Sequence, residues 1–233
     1  MRGYTQLFCI FTLACSLLLS GCATQNSGFK ISQLAKTDID SVTDAHITEL
    51  KRLNRQLAIK LYKRNPRELA KVVGNTSIDS RVDLMFNRNN PQRLTELHGL
   101  DGINAVPLAF TEDYQGDRVY ALMAGMISML DASYNNKDEF FLLDELDQQK
   151  LYNSARNLET IAWRLNSLKQ ENEELFLLSN GVSPDGVKNL SFERIFGKMI
   201  ALQDMMASLV AGSSNRTITK VVHSVASTTL LPI

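Results

Sequence analysis

Residues 38–64 read DIDSVTDAHITELKRLNRQLAIKLYKR, and their spacing decides the fold class. Ile39, Val42, His46, Leu50, Leu53, Leu57 and Leu61 recur every three or four residues, which puts them on one stripe of an α-helix. Thr37 or Asp38 can cap its start. Asn65-Pro66 ends it and opens another, short helix to Val73, because Asn caps and Pro suits the first helical position. The same period returns downstream. Asp117 caps a helix to about Tyr134, with Val119, Leu122, Met123, Met126, Ile127 and Leu130 as its stripe. Leu151, Ala155, Leu158, Ala162, Leu165 and Leu168 mark a helix from about Asp144 to Asn172. From Ser191 to Val210 the apolar positions nearly encircle the helix, the pattern of a buried element. Ile218, Val221, Val222 and Val225 suit a last helix or a strand, and no earlier segment alternates with period two. The expectation is an all-α fold, a single-domain antiparallel helical bundle of about five to seven helices over residues 37–233.

The punctuation between these helices is polar or glycine-bearing. Gly99–Gly116 is the least regular stretch and reads as a long loop, a place where function often sits. Gly181–Gly186 reads as a second loop and Asn135-Asn136-Lys137 as a turn. Ala121, Gly125, Ser128 and Ala132 form a small-residue flank that would let another helix approach closely, so their helix is expected to be central. Asn65-Pro66-Arg67-Glu68-Leu69 is echoed by Asn90-Pro91-Gln92-Arg93-Leu94. The match stops at the cap, which favours two uses of capping chemistry over a repeat array.

The start of the chain is of a different kind. After Arg2 no charge occurs until Lys30, and Leu7–Leu19 is an apolar run broken only by Thr12 and Ser16. A charged start, a short apolar core and small residues at the exit make a secretory signal, and the run is short for a membrane-spanning helix. Leu19-Ser20-Gly21-Cys22 resembles the lipobox of bacterial lipoproteins. The resemblance covers this segment alone. It implies removal of residues 1–21, diacylglycerol on the Cys22 sulfur and an acyl chain on the new amine. Two or three chains anchor a protein that one chain would hold only marginally. Ala23, rather than Asp, after the cysteine implies the periplasmic face of the outer membrane. Residues 22–36 would then be the lipidated N-terminus and a flexible tether.

Composition narrows the function classes. The chain has 25 basic and 25 acidic residues. Losing Arg2 with the signal leaves 24 against 25, so no basic surplus points to nucleic acid or to a polybasic membrane patch. All three cysteines lie within residues 1–22. The mature chain would keep only the lipidated Cys22, without a disulfide, a zinc-thiolate site or a catalytic thiol.

Reaction motifs are scarce. There is no G-x-S-x-G or S-x-x-K, and His46, His98 and His223 lack the i, i+4 partner of a two-imidazole metal site. No catalytic residue, metal ligand or cofactor is assigned. Glu112, Asp113 and Asp117, beside Tyr114, give a carboxylate set around the 99–116 loop that could serve glycan cleavage. Met123, Met126 and Met129 carry soft thioethers of the kind that select Cu(I), and methionine also fills core gaps. Tyr152, Arg156 and Trp163, with Glu159, form a second helix face rich in the residues that anchor interfaces. Three readings result. The first is a lipid-anchored, non-enzymatic module that binds an envelope protein. The second is a peptidoglycan hydrolase or lyase using the loop carboxylates. The third is a small-ligand or Cu(I)-binding lipoprotein.

Overall fold

The computed structural model describes residues 38–74, 76–141, 145–214, 217–220 and 229–233. The signal and lipobox with Cys22, the tether, His223 and the apolar positions 221–225 lie outside the described residues. The chain is mostly helical, as its periodicity requires. The described residues form seven α-helices, one 3-10 helix and one short hairpin. The α-helices are α1 (Asp38–Arg64), α2 (Pro66–Leu69), α3 (Ile78–Phe86), α4 (Gln92–Glu96), α5 (Arg118–Ser133), α6 (Gln148–Ser167) and α7 (Ser191–Ser214). That is more helices than expected, because α2 and α4 are single turns and the 99–116 stretch is not a loop.

The core follows from the stripes. His46, Leu50, Leu53, Leu57 and Leu61 of α1 are buried, while Val42 is 40% exposed and leaves the expected stripe. α5 is the central element: from Arg118 to Leu130 only Ser128 is not buried. It packs against α1, α3, α6 and the 3-10 helix Gly102–Phe110. That 3-10 helix replaces the expected loop for two reasons. Ile103, Val106 and Ala109 recur every third residue, the period of a 3-10 turn. The small flank of α5 also lets it sit close: an ideal Cβ on Gly125 would lie 3.0 Å from Gly102 O and Val106 N.

Other boundaries also shift. α2 stops at Leu69 rather than Val73. α6 starts from an Asp147 cap, whose carboxylate accepts hydrogen bonds from Gln149 N and Lys150 N. It ends at Ser167 rather than Asn172, because Leu168 turns extended and Lys169 bridges to Leu175 through a turn with Glu173 at φ +66°. The Gly181–Gly186 stretch opens an antiparallel hairpin of β1 (Gly181–Val182) and β2 (Lys188–Asn189), turned at Gly186 with φ +78°. α7 runs on to Ser214 and is not a buried helix. Its inner face packs on α1 and α6, but Met205 and Leu209 are about half exposed, at 49% and 44%. By composition alone α7 is long and apolar enough to cross a membrane; its buried inner face gives it the role of a core helix.

Candidate functional site

A polar cleft of about 510 Å³ lies between α3, α4 and the start of α5. Its inner wall is one arginine. Ser77 caps α3 by accepting from Ser80 N at 3.1 Å, and one turn in, Arg81 points inward at 1% exposure. A guanidinium is buried only when its donors are met. Here Nε donates to Asp117 Oδ2 at 3.0 Å, and both terminal nitrogens donate to the Glu96 carboxylate. The plane lies over the Tyr120 ring, 3.9 Å from its centroid.

Asp117 is over-determined. Its Oδ1 accepts from Tyr120 N at 3.0 Å as the cap of α5, and its Oδ2 also accepts from Tyr62 OH at 2.6 Å. Burial raises the Asp117 pKa against the pull of Tyr62, Arg81 and the Tyr120 amide. Burial also works against the charge of Arg81, but the Glu96 hydrogen bonds and the fields of Asp117 and Glu96 outweigh it and raise the Arg81 pKa. The two shifts pull in opposite senses for the pair. Three donors on one carboxylate decide it: Asp117 is the ionised partner at neutral pH. Burial, then the Asp117 and Glu96 charges, push the Tyr114 phenol up to about 12, so it stays a donor, to Glu96 O at 3.1 Å.

The rim completes the cleft. His98 takes the left-handed conformation (φ +54°) that closes α4, and its ring meets Tyr114 edge-on at 5.3 Å. Gly116 lies so close to Tyr114 that a Cβ there would sit 2.5 Å from Cζ. Lys71 Nζ bridges Glu68 Oε2 at 2.8 Å and Gly116 O at 3.1 Å, and the same Glu68 oxygen accepts from Arg118 N. Chemically this is a braced polar wall. Asp117 is sealed beneath Arg81, with 2% of its side chain exposed, and Glu96 is the carboxylate that still meets solvent, at 31%.

Of the three carboxylates singled out in the sequence, only Asp117 lines the cleft. Glu112 Oε1 accepts from Glu171 N at 2.6 Å, and Asp113 is exposed on the surface. Glu96 and Arg81 carry no sequence signal, because their partners are 15 and 36 residues away. Met123, Met126 and Met129 are all buried in the hydrophobic core. Among the described residues no three His, Cys, Asp or Glu side chains converge as metal donors. Trp163 and Tyr152 are half-buried. Arg156 lies 5.0 Å from the Tyr152 ring and pairs with Asp204 of α7 at 2.7 Å and with Glu159 at 3.1 Å, so part of that face is spent on holding α7. His46 is a core residue whose pKa burial lowers, against a hydrogen bond with the Leu202 backbone.

A different surface collects exposed apolar side chains. Leu178, Val182, Val187 and Leu190 are 41–67% exposed around the hairpin. Beside them a 320 Å³ recess is lined by Arg64, Val182, Val187 and Lys188. No protein family, curated protein or solved structure matches the chain.

Proposed function

We propose that this chain is a lipid-anchored module of the bacterial envelope that binds a protein partner through its hairpin end, without catalysing a reaction. In this reading Cys22 carries the diacylglycerol and N-acyl chains, the domain is an antiparallel helical bundle facing the periplasm from the outer membrane, and the lipid is its hold on the membrane. The observation that carries the reading is the group of four exposed apolar side chains on and beside one short hairpin, Leu178, Val182, Val187 and Leu190. Apolar side chains gathered on one surface mark interaction sites where scattered ones do not. The hairpin also lies beside Arg64, the last residue of α1. A 27-residue helix is about 40 Å long, so the hairpin lies about that far along α1 from its first residue.

The test is a photo-crosslinking amino acid at position 182 or 187 in the native envelope, with position 83 as an exposed control. One protein captured from both hairpin positions and not from the control is expected. No product, or the same products from all three, would refute the reading.

The cleft supports a second reading, a glycan-cleaving site using Glu96, because that carboxylate meets its open space with a second, Asp117, buried behind it. Arg81 argues against it, since it occupies both carboxylates. Incubation of the chain with purified peptidoglycan decides. Soluble fragments that vanish in Glu96→Gln would establish the hydrolase, and intact sacculi would remove it.

A further inference from the structure

Gln149, Asn153 and Asn157 stand four residues apart on α6, one line along the helix. All three side chains reach the main chain of Thr219, Leu231 or Pro232, and Gln149 Nε2 also donates to Asn153 Oδ1 at 2.9 Å. Asn157 is fully buried. Its Nδ2 donates to Leu231 O at 2.9 Å, and its Oδ1 accepts from Leu231 N at 2.7 Å. Asn153 Nδ2 donates to Pro232 O at 2.9 Å. Gln149 treats Thr219 as Asn157 treats Leu231, accepting from its N at 2.9 Å and donating to its O at 3.1 Å. A side-chain amide offers N–H and C=O side by side, so it pairs with an extended residue as a neighbouring strand would. Such pairing gives affinity through the backbone and leaves side-chain choice to the flanking pockets. Here Leu230 and Ile233 pack against the core, and Pro232 fits because only its carbonyl is used.

An apolar residue at 157 could hold an apolar tail at no polar cost. A fully buried asparagine instead needs a donor and an acceptor opposite it, since a buried amide left unmet is costly, and an extended backbone supplies both. The occupant is held shallowly, none of residues 229–233 being fully buried, so it can lift without opening the core.

We propose that the α6 line centred on Asn153 and Asn157 is a peptide-binding groove, filled in cis by residues 229–233 and open, when that tail lifts, to an extended apolar segment of a partner protein. The groove is separate from the hairpin surface, and either proposal can fail without the other.

The probe is the labelled pentapeptide TLLPI, the sequence of residues 229–233. It is titrated against the full chain and against a chain ending at Thr228, both in detergent. The shortened chain is expected to bind it and the full chain not to. Asn157→Leu in the shortened chain, or N-methylation of the second leucine of the peptide, should each weaken binding by about tenfold, the worth of one such hydrogen bond. A shortened chain with native circular dichroism that ignores the peptide, or that binds the N-methylated form equally well, overturns the proposal. Should the shortened chain not fold, the full chain with Asn157→Ala replaces it. The Leu231 amide, which donates to Asn157 Oδ1, should then exchange its hydrogen faster than in the unaltered chain, and an equal rate overturns the proposal.

Discussion

Single residues here are legible in the sequence to the extent that their partners are near in the chain. Asp117 reads as a helix cap because the amide it accepts from belongs to Tyr120. Its larger role, holding Arg81 and Tyr62 inside the protein, depends on contacts 36 and 55 residues away. Asn65 shows the same limit. It reads as a cap, but its side chain donates to Leu61 O and clamps Leu178 through both N–H and C=O. Removing one member of a buried ion pair leaves the other charge unmet and costs about 3–5 kcal/mol. Asp117→Asn should therefore destabilise the fold by about that much in urea melts, and Arg81→Met in the Asp117→Asn background should cost far less than Arg81→Met alone. Additive losses would mean the pair is not coupled. His46 supplies a pH dependence. Burial holds its folded pKa below the ordinary 6.5, so the unfolded chain takes up the proton first as pH falls. The stability that the neutral imidazole contributes is intact above pH 6.5 and is lost as the pH drops through the folded value. His46→Gln should flatten that part of the stability-against-pH curve; an unchanged slope would assign it elsewhere.

Elements were legible wherever a 3.6-residue stripe met a hydrophobic neighbour, and α1 has the bounds its stripe predicts. Periodicity failed in two places for identifiable reasons. In α7 the apolar residues outnumber the inward positions, so Met205 and Leu209 face out, and a count of apolar residues mistakes abundance for burial. In residues 102–110 the three-residue period of a 3-10 helix resembles irregular sequence when only periods of 2.0 and 3.6 are sought. A 3-10 run of nine residues is long for this geometry, and its packing against α5 supplies the support. Gly125 is the point of closest approach. A methyl group there must push the backbone at Gly102 and Val106, and backbone does not yield as a side-chain tip would. Gly125→Ala should cost about 1–3 kcal/mol, even though alanine is the better helix former by about 1 kcal/mol. Gly197→Ala in α7, where nothing lies within 4 Å of the added methyl, is the control and should be neutral or stabilising. Equal behaviour of the two variants would mean that the 3-10 helix does not rest on α5.

At the scale of the whole molecule, the exposed apolar hairpin lies beside Arg64, the last residue of α1. The hairpin could not be foreseen, because its strands have only two residues each and offer no alternation to detect. The cleft could not be foreseen either, because three separate segments build it. The proposed lipid on Cys22 and the hairpin surface can be tested one at a time. Cys22→Ala should move the chain from the membrane to the soluble fraction and lower crosslinking at position 187 by reducing local concentration. Val182→Asp should leave the chain in the membrane and abolish the same crosslink by placing a charge in the apolar contact. Loss of the crosslink with Cys22→Ala but not with Val182→Asp would mean that proximity alone produced it, and would remove the hairpin from the function.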